Sequence, residues 1–164
     1  MQKRQRRRKF LKERAIEFEK LGKSRTFIIY NEDGIAILGY FTLGIQVLII
    51  PENLSNRKIK DLDGFSTKIK GEKITHLPVI LIGQLAKNDT YKKEVNGYNL
   101  MQYCFNKILD GQSFLGGRII LLETKNIPYL VSFYEEFGFR KLENDSYDGS
   151  LVQFIRVLNE EELM

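Results

Sequence analysis

The chain has 164 residues, 43% apolar and 29% charged, with a net charge of +5; this is the balance of one soluble globular domain able to bury a core. A single cysteine, Cys104, excludes an intramolecular disulfide and a Cys-rich zinc knuckle. A single histidine, His76, excludes a two-histidine metal site and speaks against a protease-type Cys-His pair. The longest apolar segment, 35–50, is interrupted by Gly39, Thr42, Gly44 and Gln46 and stops at Pro51, so it reads as strand and not as a membrane span. Met1 leads into a basic run with no apolar segment behind it, which is not a secretory signal, and the default compartment is the cytoplasm.

The charge is uneven. Residues 1–14 hold eight basic side chains and one acid, while the remaining 150 hold 18 basic and 20 acidic ones. The domain plan is therefore a basic arm at 1–9 and a folded domain at 10–164. Such an arm suits phosphate backbones without sequence preference, or is simply a solvated terminus.

In chain order, a helix is predicted from Arg8 to Leu21, with Phe10, Leu11, Arg14, Ala15, Phe18 and Leu21 on one face and Gly22 as its stop. Arg25–Tyr30 is a branched and aromatic strand. Asn31-Glu32-Asp33-Gly34 is a turn, and the run from Ile35 returns as an antiparallel partner. Residues 51–73 are polar, basic and poorly periodic, a long loop or short helix. Leu77–Leu85 reads as a buried strand, with Pro78 near its start and Gly83 as a bulge or close backbone approach. Leu100, Met101, Cys104, Phe105, Ile108 and Leu109 form one continuous helical stripe, so Cys104 is a core thiol and not a nucleophile. Gly116-Gly117 leads to a strand at Arg118–Leu122. Asn126 is the expected cap of a helix with Pro128 in its first turn. Leu130, Phe133, Tyr134 and Phe137 are its stripe, Gly138 its left-handed end, and Leu151–Val157 the closing strand. The order predicts a mixed α/β domain around one sheet.

Strand, polar loop and helix at 77–108 is a common way to hold a phosphate-bearing ligand, because the first amides of a helix point outward and its dipole adds positive potential. The loop is Lys92-Lys93-Glu94-Val95-Asn96-Gly97. Phe133-Tyr134-Glu135-Glu136-Phe137-Gly138-Phe139 resembles the late signature of the GNAT N-acetyltransferase superfamily: an aromatic-Tyr pair, two variable residues, then hydrophobic-Gly-Phe. Leu81-Ile82-Gly83-Gln84-Leu85-Ala86 resembles that superfamily's splayed fourth strand, Lys92–Gly97 its pyrophosphate loop, and Ile37–Leu43 its third strand. Within the superfamily, the chain resembles the toxin-like acetyltransferases that modify the amino group of aminoacyl-tRNA. The likeness spans roughly residues 10–157. The chain departs from the pattern at Lys92, where the family has Arg or Gln, and at Val95, where it has Gly and where a Cβ would crowd the pyrophosphate. The strand and helix that precede the first helix in the family are also missing here.

The resemblance implies a GNAT fold, a mixed central sheet whose fourth and fifth strands splay apart between flanking helices. It implies acetyl-CoA as cofactor, bound through Leu85, Ala86, Lys87, Lys92, Lys93, Val95, Asn96, Gly97, Tyr98 and Asn126. A neutral amine would attack the thioester, an amide near Leu85 or Ala86 would stabilise the oxyanion, and Tyr134 would protonate the departing sulfur. The stretch Val79–Ala86 carries no carboxylate that could serve as base. A lysine amine of pKa about 10.4 needs one, whereas an α-amine near 8 is already partly neutral. This points to the α-amine of aminoacyl-tRNA; the alternatives are protein lysine, a small amine, or a degenerate GNAT module without catalysis. Expected partners are acetyl-CoA, charged tRNA, an antitoxin protein and a second copy in a homodimer, with no membrane. His76 reads as a structural residue.

Overall fold

The computed structural model describes residues 9–143 and 151–164, so residues 1–8 of the basic arm lie outside them. A π-helical turn, Phe10–Arg14, runs into α1, Ala15–Lys20. Ala15 is buried, whereas Leu21, expected on the same face, is exposed in the turn that Gly22 closes at φ +66°. Then follow β1 (Arg25–Tyr30), β2 (Ile37–Ile49), α2 (Asn56–Asp63), β3 (Lys68–Ile69), β4 (Glu72–Lys73) and β5 (His76–Lys87). After them come α3 (Gly97–Leu115), β6 (Ile119–Thr124), α4 (Pro128–Glu136), β7 (Arg140–Lys141), β8 (Val152–Val157) and α5 (Glu160–Leu163). The fold is α/β. Its main sheet is mixed, with six strands in the order β1-β2-β5-β6-β8-β7 and one parallel pair, flanked by helices. Among the described residues no helix is long and apolar enough to cross a membrane, and no cluster of side chains suits a metal ion.

The chain forms two compact units, Met1–Ile45 with Ile82–Gly116, and Gln46–Leu81 with Gly117–Met164. In the first, β1 and β2 make the expected hairpin, in register from Arg25↔Leu43 to Ile29↔Gly39, with a register shift before Tyr30↔Ile37. Its turn is held by the Asn31 side chain, whose Oδ1 accepts from the amides of Ile35 and Ala36 at 3.0 and 2.9 Å. Phe27 stacks on Phe41 at 5.0 Å. Leu100, Met101, Cys104, Phe105 and Ile108 of α3 are buried, as their spacing predicts. Gly39 has a steric reason: a Cβ there would lie 2.9 Å from the carbonyl oxygen of Ala86 and 3.3 Å from Leu100.

In the second unit, Leu48, Leu54, Ile59, Leu62, Ile74, Leu77, Val79, Ile119 and Leu121 share one core. The stretch 51–73 contains more order than its composition suggests. Ser55 caps α2 by accepting from the Lys58 amide, Ile59 and Leu62 are the only buried pair of its eight residues, and Gly64 ends it at φ +88°. The β3–β4 hairpin turns through Lys70 and Gly71, both at positive φ, the pattern of a tight primed turn. Two short strands and a one-sided helix leave too few apolar residues for periodicity to reveal. The strand His76–Lys87 overruns its predicted ends by one and two residues, and Ile119–Thr124 starts one residue later and ends two later than predicted.

Asn126 does not cap α4. The cap is Ile127, extended at φ −112° and ψ 127°, with Pro128 following and no side-chain capping bond. Proline disfavours the helical conformation in the residue before it, so the helix starts one position too late for Asn126, which is exposed.

Candidate active site

Each unit contributes its own set of predicted residues. In the first, the end of β5 is fixed to β2 by Asn88. Its amide donates to the Leu38 carbonyl at 2.7 Å and its Nδ2 to the Ile37 carbonyl at 2.9 Å. Because backbone groups alternate sides along a strand, the amide of Ala86 faces β2 like that of Asn88. The amides of Leu85 and Lys87 therefore face the opposite edge. Leu85 and Ala86 thus present their amides to opposite edges of β5, a distinction the sequence alone does not carry.

Beyond β5 a 3₁₀ turn, Asp89–Tyr91, leads into the predicted loop. The Tyr91 carbonyl accepts from the amides of Glu94 and Val95 at 3.0 and 3.3 Å, turning both inward. The Val95 side chain is 3% exposed. The Cβ expected to crowd a pyrophosphate is therefore packed into the core, because the loop needs an apolar anchor beneath it. Asn96 then caps α3 in a reciprocal box. Its side chain accepts from the Asn99 amide at 2.8 Å, and Asn99 Oδ1 accepts from the Asn96 amide at 3.4 Å. A helix starts with four amides that no helical carbonyl satisfies. The box takes those of Asn96 and Asn99, and the Gly97 amide is one that the cap does not use. Lys92 and Lys93 are exposed beside it, and neither forms an ion pair among the described residues. This arrangement fits a dianionic phosphate group: the helix-end amide of Gly97, two ammonium groups, and no side chain on the outer surface at Val95.

Cys104, in the buried stripe of α3, is taken out of the chemistry by desolvation, which pushes its thiol up to about 12. His76 is exposed at the start of β5, its Nδ1 2.8 Å from Thr75 Oγ1. β5 carries no carboxylate along its whole length.

In the second unit, the Tyr-x-x-Phe-Gly-Phe motif folds into a helix cap. The Gly138 amide donates to the Glu135 carbonyl at 2.9 Å and the Phe139 amide to the Tyr134 carbonyl at 3.1 Å. Gly138 sits at φ +77°. This is a Schellman motif. Tyr134 occupies the position from which the expected apolar contact reaches across the cap, and its ring meets that of the fully buried Phe139 edge-on, 6.1 Å between centroids. Phe133, also edge-on at 5.2 Å, and Phe154 enclose it further. Tyr134 is 7% exposed. The motif thus has a folding role whatever its chemistry, because it fixes this tyrosine in one place. Arg156 on β8 completes the cap, donating from Nη1 to the Phe137 carbonyl at 2.9 Å while its Nη2 pairs with Glu162 of α5. Sequence reasoning missed Arg156, since nothing local marks an arginine 19 residues away as a helix-end partner.

No family model and no curated protein matches the chain. Solved structures do. A mutant of the toxin KacT superposes with a TM-score of 0.64 and 18% identity, over 88% of this chain and 78% of that one. AtaT complexed with acetyl-methionyl-tRNAfMet gives 0.62 at 18%, over 88% and 78%. An AtaT mutant toxin bound to the C-terminus of the antitoxin AtaR and acetyl-CoA gives 0.60 at 16%, over 89% and 76%. The chain has the GNAT-type fold of these toxins. On the GNAT fold, the strand–loop–helix at β5–α3 and the capped tyrosine of α4 are the two places where the sequence motifs fall.

Proposed function

We propose that this chain is an acetyl-CoA-dependent N-acetyltransferase whose acceptor is the α-amine of aminoacyl-tRNA, acting as a toxin-type enzyme. The observation that carries the reading is the loop before α3, where the helix-end amide of Gly97 and two lysines that form no ion pair among the described residues suit a pyrophosphate, on a fold shared with a toxin bound to acetyl-CoA. Acetyl-CoA, when bound, supplies an acetyl group activated as a thioester.

The roles of the protein's own groups follow. The Gly97 amide, with Lys92 and Lys93, would hold the pyrophosphate and fix the cofactor's position. Leu85, whose amide lies on the edge of β5 turned away from β2, donates to the acyl oxygen as that oxygen gains charge, a contribution that preorganised amides make at little reorganisation cost. Tyr134 would give its phenolic proton to the departing sulfur and would be restored by the proton that the attacking amine loses. Its enclosure by Phe133, Phe139 and Phe154 keeps the hydroxyl in one position and limits water around it. With no carboxylate on β5, an acceptor that is partly neutral near pH 8 is favoured over a lysine side chain. Charged tRNA would place the reaction in the cytoplasm, and an antitoxin, as AtaR is for AtaT, is the protein partner this reading expects.

The test is incubation with labelled acetyl-CoA and either charged or deacylated total tRNA. Label on charged tRNA alone supports the reading. Label on protein or on small amines instead would replace the acceptor. No transfer and no acetyl-CoA binding would make the chain a non-catalytic GNAT module.

A further inference from the structure

The stretch 56–73 carries six cations against three carboxylates, in a chain that is otherwise acidic beyond residue 14. One of the three carboxylates, Asp63, is engaged locally, its Oδ2 accepting from the amides of Phe65 and Ser66. None of the six cations forms an ion pair among the described residues.

Three features here are each unfavourable for an isolated fold. Lys68 and Lys73 stand directly opposite each other across the hairpin, and like charges in that position repel. Lys70 at the tip sits at φ +52°, the only non-glycine residue among those described with a positive φ, a conformation uncommon outside glycine and asparagine. Phe65, directly after α2, is 87% exposed. Beside it lies a further cation. The Arg118 guanidinium rests against Gly64, so closely that a Cβ there would be 1.7 Å from Nη1. Its Nε is buried with no hydrogen-bond partner among the described residues. All of these residues belong to the second unit.

Phosphates would relieve the lysine repulsion and give Arg118 an acceptor. A base would cover the ring of Phe65. We propose that α2, the β3–β4 hairpin and Arg118 form a platform for single-stranded nucleic acid, with its phosphates on the cations and one base stacked on Phe65. A basic surface combined with an exposed aromatic ring is the chemistry of single-strand binding. A membrane surface would instead call for several apolar side chains on one helical face, which α2 buries. The proposal deepens the reading above, because a charged tRNA carries its amino acid on a single-stranded end, and it rests on that reading only for the choice of RNA.

The experiment is fluorescence anisotropy with a labelled single-stranded oligonucleotide of about eight nucleotides, as RNA and as DNA, on the full chain without acetyl-CoA. Phe65→Ala is expected to weaken binding about tenfold or more. The double substitution Lys68→Ala, Lys73→Ala is expected to reduce the slope of log K against log salt by about 1.4. Both variants alter exposed side chains and keep the N-terminal arm. Equal RNA and DNA binding supports a platform without 2′-hydroxyl contacts, and tighter RNA binding supports one with them. Wild-type binding that neither variant changes would overturn the proposal, and so would no binding. Capture by anionic phosphatidylserine vesicles in place of the oligonucleotide would overturn it too. Since acetyl-CoA is absent, failure here leaves the acetyltransferase reading standing, while a chain that binds the oligonucleotide but gives no calorimetric heat with acetyl-CoA fails only that reading.

Discussion

Replacing Tyr134 by phenylalanine separates the two roles of the motif. The substitution removes one hydroxyl and keeps the ring, so the edge-on contacts with Phe133 and Phe139 persist, and the Schellman bonds, which are all backbone, are untouched. Stability is expected to change by no more than about 1 kcal/mol, which for a chain of this size is a shift of about 2–4 °C in Tm. Turnover is a different matter. General-acid groups contribute about 10²- to 10⁴-fold. A thiolate of pKa near 8.5 leaves with modest help, so the lower end applies. We expect a fall of about 10²-fold, equivalent to about 2.7 kcal/mol on the barrier. KM for acetyl-CoA should hold steady, because the hydroxyl acts mainly as the sulfur gains charge. The assay is steady-state acetyl transfer to charged tRNA, with a thermal melt alongside. A variant that melts like wild type and turns over at the wild-type rate would remove Tyr134 from the chemistry and leave it as packing.

Other outcomes follow from the same geometry. Gly138→Ala puts a Cβ on a residue at φ +77° and should cost about 1 kcal/mol, read as a lower Tm, while loosening the seat of Tyr134. Val95→Gly should destabilise the protein by about 2 kcal/mol or more by emptying a core position and should not tighten acetyl-CoA binding; calorimetry showing tighter binding in a stable variant would contradict the inward placement of that side chain. Lys92→Ala with Lys93→Ala should raise KM for acetyl-CoA and flatten its salt dependence, with kcat little changed. The Cys104 thiol, raised by burial from 9.0 to about 12, stays protonated in the folded chain while the unfolded chain ionises. Its contribution to stability is therefore complete below about pH 9 and is lost as pH rises toward 12, by up to about 1.4 kcal/mol per pH unit; denaturant melts of wild type and Cys104→Ala across pH 8–10.5 check this difference.

The parts of the fold legible from sequence are those where one physical signal acts alone. The stripe of α3 and the hairpin at Asn31–Gly34 fall in this class, because helical period and turn chemistry specify them without help from distant residues. The motif ending in Phe137-Gly138-Phe139 was readable for a similar reason: a left-handed glycine between apolar residues is what a Schellman cap requires. Other features depend on tertiary context. Asn126 has the right chemistry for a cap, but Pro128 moves the helix start by one residue. The side on which Leu85 presents its amide is set by Asn88 bonding to β2. The inward turn of Val95 is set by the Tyr91 carbonyl, and the seat of Arg118 by the glycine at the end of α2. None of these carries a local signature.

Acetyl transfer from acetyl-CoA to the α-amine of aminoacyl-tRNA is read most directly from the chemical position of the transferred acetyl group. Charged tRNA incubated with the protein and isotope-labelled acetyl-CoA is digested with nuclease, and the terminal nucleoside is weighed by mass spectrometry. The account predicts an aminoacyl-adenosine heavier by one labelled acetyl group, with the label on the α-nitrogen and none on deacylated tRNA. Label confined to lysine side chains, or an unmodified aminoacyl-adenosine after complete incubation with protein that binds acetyl-CoA, would contradict it.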